Sequence, residues 1–126
     1  MRKETQKIAE AFRKGEPARA ARTETDGKAV YLHGHMIAWR TRTERGDLLH
    51  VTLAGYGTVT TRERINGILE TFGLGRHWGA VQHQHGQYLQ TWGENGKPIL
   101  VEWDPREVAT FTLTGCPEAT PEVRRC

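Results

Sequence analysis

The segment from Ala54 to Gly73 constrains this chain more than any other, because strand chemistry there hands over to a helix with both ends written in its residues. Thr60 and Glu63 have the spacing of a capping box: the Thr hydroxyl accepts from the Glu63 backbone N–H, and the Glu carboxylate reaches back to the Thr60 N–H. Behind them Ile65, Ile68, Leu69 and Phe72 recur at i, i+3, i+4 and i+7 as one apolar stripe. Gly73 stands where a left-handed residue closes a helix. The pattern predicts a helix from Thr61 to Phe72 that acts as the hub of the core. The preceding Gly55-Tyr56-Gly57 lacks the Lys and the glycine spacing of a phosphate loop, so it reads as a tight strand-to-helix bend.

The rest of the chain is arranged around that hub. Residues 3–14 predict a short helix with Ile8, Ala11 and Phe12 on one side, ended by Gly15 and Pro17. Its apolar face is thin, and a helix of that length has little stability alone, so it is expected to dock through Phe12. From Arg19 the period changes to two, and Asp26-Gly27, His33-Gly34 and Arg45-Gly46 separate four strands near 19–25, 28–32, 35–44 and 47–53. With turns centred on the first two pairs, Thr23 opposes Val30 and Val30 opposes Ile37. That register puts Ala21, Leu32, Ile37 and Trp39 on the core face, and Leu49, Val51 and Leu53 continue it. After the helix, 79–84 and 87–92 flank His85-Gly86, and Asn95-Gly96 leads into 98–103, a second meander of three strands. Val108 to Leu113 is read as a further strand at an unpaired edge, a place where a homodimer could form by strand addition. The predicted fold is therefore α+β, an antiparallel sheet of about seven strands in two meanders around one central helix, with a weak N-terminal helix. Its divisions are a basic arm or short helix over 1–17, a single α+β domain over 18–114 and a mobile tail over 115–126.

Charge narrows the choice of partner. The chain carries a net charge of +3, and residues 1–28 account for all of it with eight Lys and Arg against five acids, the remainder being balanced at ten against ten. No apolar run approaches the roughly 18 residues of a membrane span, and no apolar stretch follows the basic N-terminus as a secretory signal requires. The expected setting is the cytoplasm, with Cys116 and Cys126 as free thiols.

Three stretches carry a family resemblance: Tyr31-Leu32-His33-Gly34-His35-Met36-Ile37-Ala38, then Ala54 to Asn66 with its Thr-Thr-Arg-Glu-Arg-Ile-Asn helix start, then a Gln-rich hairpin ending in an aromatic. Together, over roughly residues 28–92, they resemble a widespread group of small uncharacterised bacteriophage proteins. His35 replaces the usual Asn and Tyr56 the usual Trp of that pattern, and the basic N-terminal extension lies outside it. The resemblance implies a phage or prophage accessory protein acting inside a bacterium; it implies no activity.

No motif demands catalysis. His33-x-His35 and His83-x-His85 would each face one way on a strand, but His33 and His85 precede turn glycines, where the period of two is lost, and no Cys lies near either pair. No metal or other cofactor is expected. Glu102 and Asp104 straddle Trp103 as potential paired carboxylates, which are more often the wet face of an edge strand. The residues expected to meet a partner are Arg40, Arg42 and Arg45 around one hairpin, Tyr56, and Arg62 and Arg64 at the helix start. The two helix arginines could hold a phosphate with the exposed amides, or lay their stems over the sheet. Tyr31, Trp39, Tyr56, Trp78, Tyr88, Trp92 and Trp103 are stacking candidates, most of them needed by the core. Two functions follow: a non-enzymatic protein that binds nucleic acid or a nucleoprotein complex, with arginines on phosphates and an aromatic on a base, or a protein-binding inhibitor of a host defence system such as an anti-CRISPR.

Overall fold

In the computed structural model, which describes residues 1–44 and 46–125, the chain opens with helix α1 (Lys3–Lys14) and strands β1 (Ala18–Ala20), β2 (Thr23–Thr25), β3 (Ala29–Leu32), β4 (His35–Thr43) and β5 (Gly46–Thr52). Helix α2 (Val59–Thr71) follows, then β6 (Gly79–His83), β7 (Gly86–Trp92), β8 (Pro98–Glu102), β9 (Glu107–Thr112) and β10 (Glu122–Arg125). The architecture is α+β, with antiparallel pairing throughout both sheets. One sheet has seven strands in the order β1-β2-β3-β4-β5-β9-β10, and the other has three, β6-β7-β8.

That strand order corrects the expectation of about seven strands around one central helix. The last two strands leave the second meander and complete the first sheet. Leu49 and Val51 on β5 need apolar neighbours across the ladder, and Phe111 and Ala109 supply them, all four at most 2% exposed. The strand expected at an unpaired edge over 108–113 is thus interior, flanked by β5 and β10, and cannot accept a second copy by strand addition. The segment 115–126, expected to lack regular structure, carries β10. No helix among the described residues is long and apolar enough to cross a membrane.

Helix α1 contributes as much to the core as its neighbour. Thr5, Ile8, Ala9 and Phe12 form its buried stripe, so Ala9 takes the place assigned to Ala11, and Phe12 meets Phe72 edge-on at 5.5 Å between ring centroids. Gly15 closes the helix at φ 76° while the Glu16 N–H donates to the Ala11 carbonyl at 2.8 Å, a turn that a side chain would strain. The two helices pack closely at Gly67, where an added methyl group would overlap the Thr5 Cγ2. Ile65, Ile68 and Leu69 of α2 are buried as the stripe requires. The capping box, however, does not form. Thr58 is the N-cap, its hydroxyl accepting from the Thr61 N–H at 3.2 Å, and the helix starts at Val59.

Registers differ from the expected ones at several turns, with consequences for which side chains face the core; Gly46, expected in a turn, already pairs with Thr43. The loop after β2 is stabilised by Asp26, whose carboxylate accepts from the Lys28 and Ala29 N–H groups at 2.8 and 2.9 Å. Thr25 therefore opposes Val30 and Thr23 opposes Leu32, two residues from the register that Asp26-Gly27 as turn centre would set. Ala21, expected on the core face, instead sits exposed at φ 55° in the turn between β1 and β2. At the next turn His33 and Gly34 adopt φ 52° and 80°, the two positive values a tight hairpin needs, and Leu32 pairs with His35 as expected. Beyond it Tyr31 opposes Met36 but Val30 opposes Ala38, so Ile37 is an extra residue, a β-bulge. Ile37 and Ala38 are both buried as a result, and Trp39 is turned to the opposite face. The hairpin of the second sheet is centred on Gln84 and His85, at φ 47° and 69°, one residue before the expected His85-Gly86.

Candidate functional site

The structure disperses the arginines that the sequence suggested for one binding surface. Arg64 is only 5% exposed. Its Nε donates to the Thr23 hydroxyl at 2.8 Å, its Nη1 to the Thr5 hydroxyl at 2.8 Å and to Glu63 at 2.5 Å. The Glu63 carboxylate also accepts from the Thr5 hydroxyl, so α1, α2 and β2 are tied by one buried polar network. Desolvation works to raise the Glu63 pKa, but the hydrogen bonds from Thr5, Arg64 and the Arg2 N–H outweigh it and hold the carboxyl below its ordinary value. Glu63 is therefore engaged with α1 and unavailable to cap its own helix.

Arg62 is held by neutral acceptors: its Nη1 donates to the Gly57 carbonyl at 2.9 Å and to the side-chain oxygens of Gln87 and Gln82 at 3.0 and 3.1 Å. Arg40 lies over the Phe72 ring at 5.2 Å, donates to the Arg13 carbonyl at 3.1 Å and stands 3.6 Å from Asp47. Arg42 meets the same carboxylate at 3.2 Å. Arg45 lies outside the described residues. No single surface therefore gathers Arg40, Arg42, Arg62 and Arg64.

What the fold does assemble is an aromatic stripe on the uncovered face of the large sheet. Strand alternation places Val30, Ala38, Leu49, Val51 and Ala109 toward the helices and Tyr31, Met36, Trp39, Leu48 and His50 on the other side. Trp39 stacks on His50 with ring centroids 5.1 Å apart and planes at 18°. The His50 ring nitrogens are each 2.9 Å from a hydroxyl, Nε2 from Thr41 and Nδ1 from Thr110. Burial pushes the His50 pKa down, which favours the neutral imidazole that can donate through one nitrogen and accept through the other. Charges on this face occur as pairs at its two ends, Arg19 with Glu24 at 2.8 Å and Arg124 with Glu122. Arg40 and Arg42 alternate with Trp39 and Thr41 and so project from the helix side. Arg40 and Arg42 thus occupy the face opposite the stacking aromatics.

Tyr56 is 50% exposed and packs on His35, ring centroids 4.9 Å apart, at the mouth of a cavity of about 350 Å³. The two turn histidines of the sequence reading, His33 and His85, have left-handed backbones, and among the described residues no three His, Cys, Asp or Glu side chains are grouped to hold a metal. Asp104 and Glu107 line a cleft of about 720 Å³ beside Glu102. They also close their own turn: Glu107 accepts from the Asp104 N–H at 2.8 Å and Asp104 from the Arg106 N–H at 2.9 Å. Trp78 and Trp103 are core residues, whereas Trp92 is 56% exposed. Cys116 is exposed and unbridged, its Sγ 2.7 Å from a Glu118 oxygen; Cys126 lies outside the described residues.

One structural residue escaped the sequence reading. Asn66 turns its amide onto β6 and bonds both main-chain groups of Ala80. Half-buried itself, it is the last residue of the Thr-Thr-Arg-Glu-Arg-Ile-Asn stretch, in which Thr61 and Arg64 are buried. The stretch that carries the resemblance is thereby explained as a set of tertiary contacts.

The family model of the Kyanoviridae Gp96 protein matches residues 1–108. The chain belongs to the Kyanoviridae Gp96 family. This is a phage protein family, and the match begins at residue 1, so it takes in α1, which the narrower resemblance over 28–92 left out. It ends at Val108, inside β9. No curated protein and no solved structure matches this Gp96 family member.

Proposed function

We propose that this Gp96 family member is a non-enzymatic phage accessory protein that acts inside the bacterial host by binding a protein, or the protein part of a nucleoprotein complex, through the open face of its large sheet. The observation that carries this reading is the separation of Trp39, Tyr31 and Met36 from Arg40 and Arg42, the arginines of that face being ion-paired at its ends. A strand-tracking nucleic-acid surface sets cations beside its aromatic platforms. Here the aromatic face has a neutral centre and internally paired charges at its ends, a composition closer to a protein interface, where aromatics and Met are enriched and charge is depleted at the centre. Inhibition of a host defence system is one activity that such binding would support.

A second reading, nucleic-acid binding, draws on a different part of the molecule: all eight Lys and Arg of residues 1–28 are exposed. Fluorescence anisotropy with labelled DNA and RNA over a salt series separates the two. The protein reading expects no binding at physiological salt and a bacterial or phage protein partner lost on Trp39→Ala. Binding whose affinity falls by about 0.9 log unit per log unit of salt for each duplex phosphate contacted, and which disappears when the cations of α1 are replaced, would put the nucleic-acid reading in its place.

A further inference from the structure

The cavity beneath Tyr56 joins two stretches that lie apart in the sequence. Leu32, His33, His35 and Ile37 come from the β3–β4 hairpin; Leu53, Ala54, Tyr56, Thr58, Thr60 and Thr61 come from the bend before α2. Its floor is apolar, with Leu32, Ile37 and Leu53 at most 5% exposed, and its wall includes the Tyr56 and His35 rings. No Asp, Glu, Lys or Arg lines it. His33 takes its left-handed backbone from the hairpin turn, whereas Ala54 holds φ 54° outside any hairpin, a conformation that costs energy in a non-glycine residue. Among the described residues His33, His35, Tyr56 and Thr60 make no side-chain hydrogen bond, and all four line the same space.

From these features we infer that the cavity binds a flat, uncharged heteroaromatic ring of nucleobase size. An apolar floor with ring walls takes the faces of such a ring, and uncommitted hydroxyl and imidazole groups at the rim take the donors and acceptors on its edge. The volume of about 350 Å³ is at the low end of the roughly 300–1,000 Å³ of small-molecule sites, which suits a base or nucleoside better than an extended cofactor. The absence of charged side chains disfavours ligands that need a counter-ion. The same chemistry is presented by a free nucleoside and by an unstacked base in a single strand. This inference uses none of the residues of the sheet-face reading, and base binding in the cavity does not depend on the cations of α1, whose replacement marks the nucleic-acid reading above.

The test is an amide chemical-shift titration of the full chain with adenosine, guanosine, cytidine and uridine at millimolar concentration, and in parallel with short single-stranded homopolymers of the same bases. Binding should shift amides of residues 32–37 and 53–61, and should weaken about tenfold in Tyr56→Ala, the loss of about one base–aromatic stack. Thr60→Val, which keeps the shape and removes the rim hydroxyl, should weaken it less and alter the preference among bases. Saturation by nucleosides assigns the site to a free ligand; saturation by strands alone assigns it to a base within a strand. Either supports the inference. No shift with any probe, shifts confined to other residues, or a Tyr56→Ala variant that folds and binds unchanged would overturn it.

Discussion

Asn66 on α2 bonds to both main-chain groups of Ala80 on β6: its Nδ2 donates to the carbonyl at 3.0 Å, and its Oδ1 accepts from the N–H at 2.6 Å. The side-chain amide thereby acts as one residue of an extra strand. It satisfies the edge of the three-stranded sheet and joins that sheet to the helix that also packs on the seven-stranded one. Ala80 is 4% exposed and Asn66 half-buried, so loss of the amide leaves two backbone groups with little access to water.

Asn66→Ala should therefore destabilise the fold by about 1–3 kcal/mol, the cost of leaving buried polar groups unsatisfied. Asn66→Asp retains the acceptor but sets a carboxylate oxygen against the Ala80 carbonyl, and is expected to be no better. Denaturant titration gives the magnitude, and faster hydrogen exchange at the Ala80 amide gives the location. Unchanged exchange at Ala80 in the Ala variant would show that the contact does not hold the edge.

Gly67→Ala sets two effects against each other. A helix-interior glycine costs roughly 0.5–1 kcal/mol relative to Ala, so propensity alone favours the substitution. The added methyl would overlap the Cγ2 of Thr5, a short side chain fixed by its bonds to Glu63 and Arg64, and overpacking typically costs about 1–3 kcal/mol. The overlap should win, for a net loss of about 1–2 kcal/mol. In a double-mutant cycle with Thr5→Ala the two losses should be less than additive; simple additivity would place the strain elsewhere.

Leu69 is fully buried in the core cluster that includes residues of α1 and of both sheets. Leu69→Ala should cost about 2–5 kcal/mol. A loss under about 0.5 kcal/mol, the range of surface substitutions, would remove α2 from the core.

Glu63 links stability to pH. Its carboxyl is held below the ordinary value of 4.5 in the folded protein, so its contribution is complete above that value. It is lost as pH falls through the depressed folded value, because the unfolded chain binds the proton first. Glu63→Gln should lower stability at neutral pH and flatten the acid limb of a stability–pH curve recorded from neutrality to about pH 3. An acid limb as steep as in the wild type would assign that dependence to other groups.

His50 has the same sign for a different reason. Burial lowers its pKa from 6.5, so stability falls as pH drops below that value toward the folded one, where the imidazole finally charges between two threonines. His50→Gln should remove this component, visible as a smaller loss of stability between neutral and mildly acidic pH. The Trp39 fluorescence should respond in the same interval in the wild type alone.

Features set by near neighbours were legible in the sequence alone. The α2 stripe of Ile65, Ile68 and Leu69, the Gly15 helix end and the His33-Gly34 turn each depend on side-chain period or backbone conformation within a few residues, and each stands where the residues put it. The α+β class follows from the same local signals. Other features were decided only by the tertiary structure. One inserted residue at Ile37 reverses the side on which every later side chain of β4 emerges, and so turned Trp39 away from the core and Arg40 and Arg42 toward the helix side. Arg64 looked like a solvent-facing cation because its partners, Thr23 and Thr5, lie 41 and 59 residues away. The same holds for Glu63, which fits a capping box by spacing but finds stronger partners on α1, and for β9, whose place beside β5 rests on apolar contacts across the ladder. Charge burial, sheet register and strand order are properties of distant pairs, and no single stretch of the chain contains both members of such a pair.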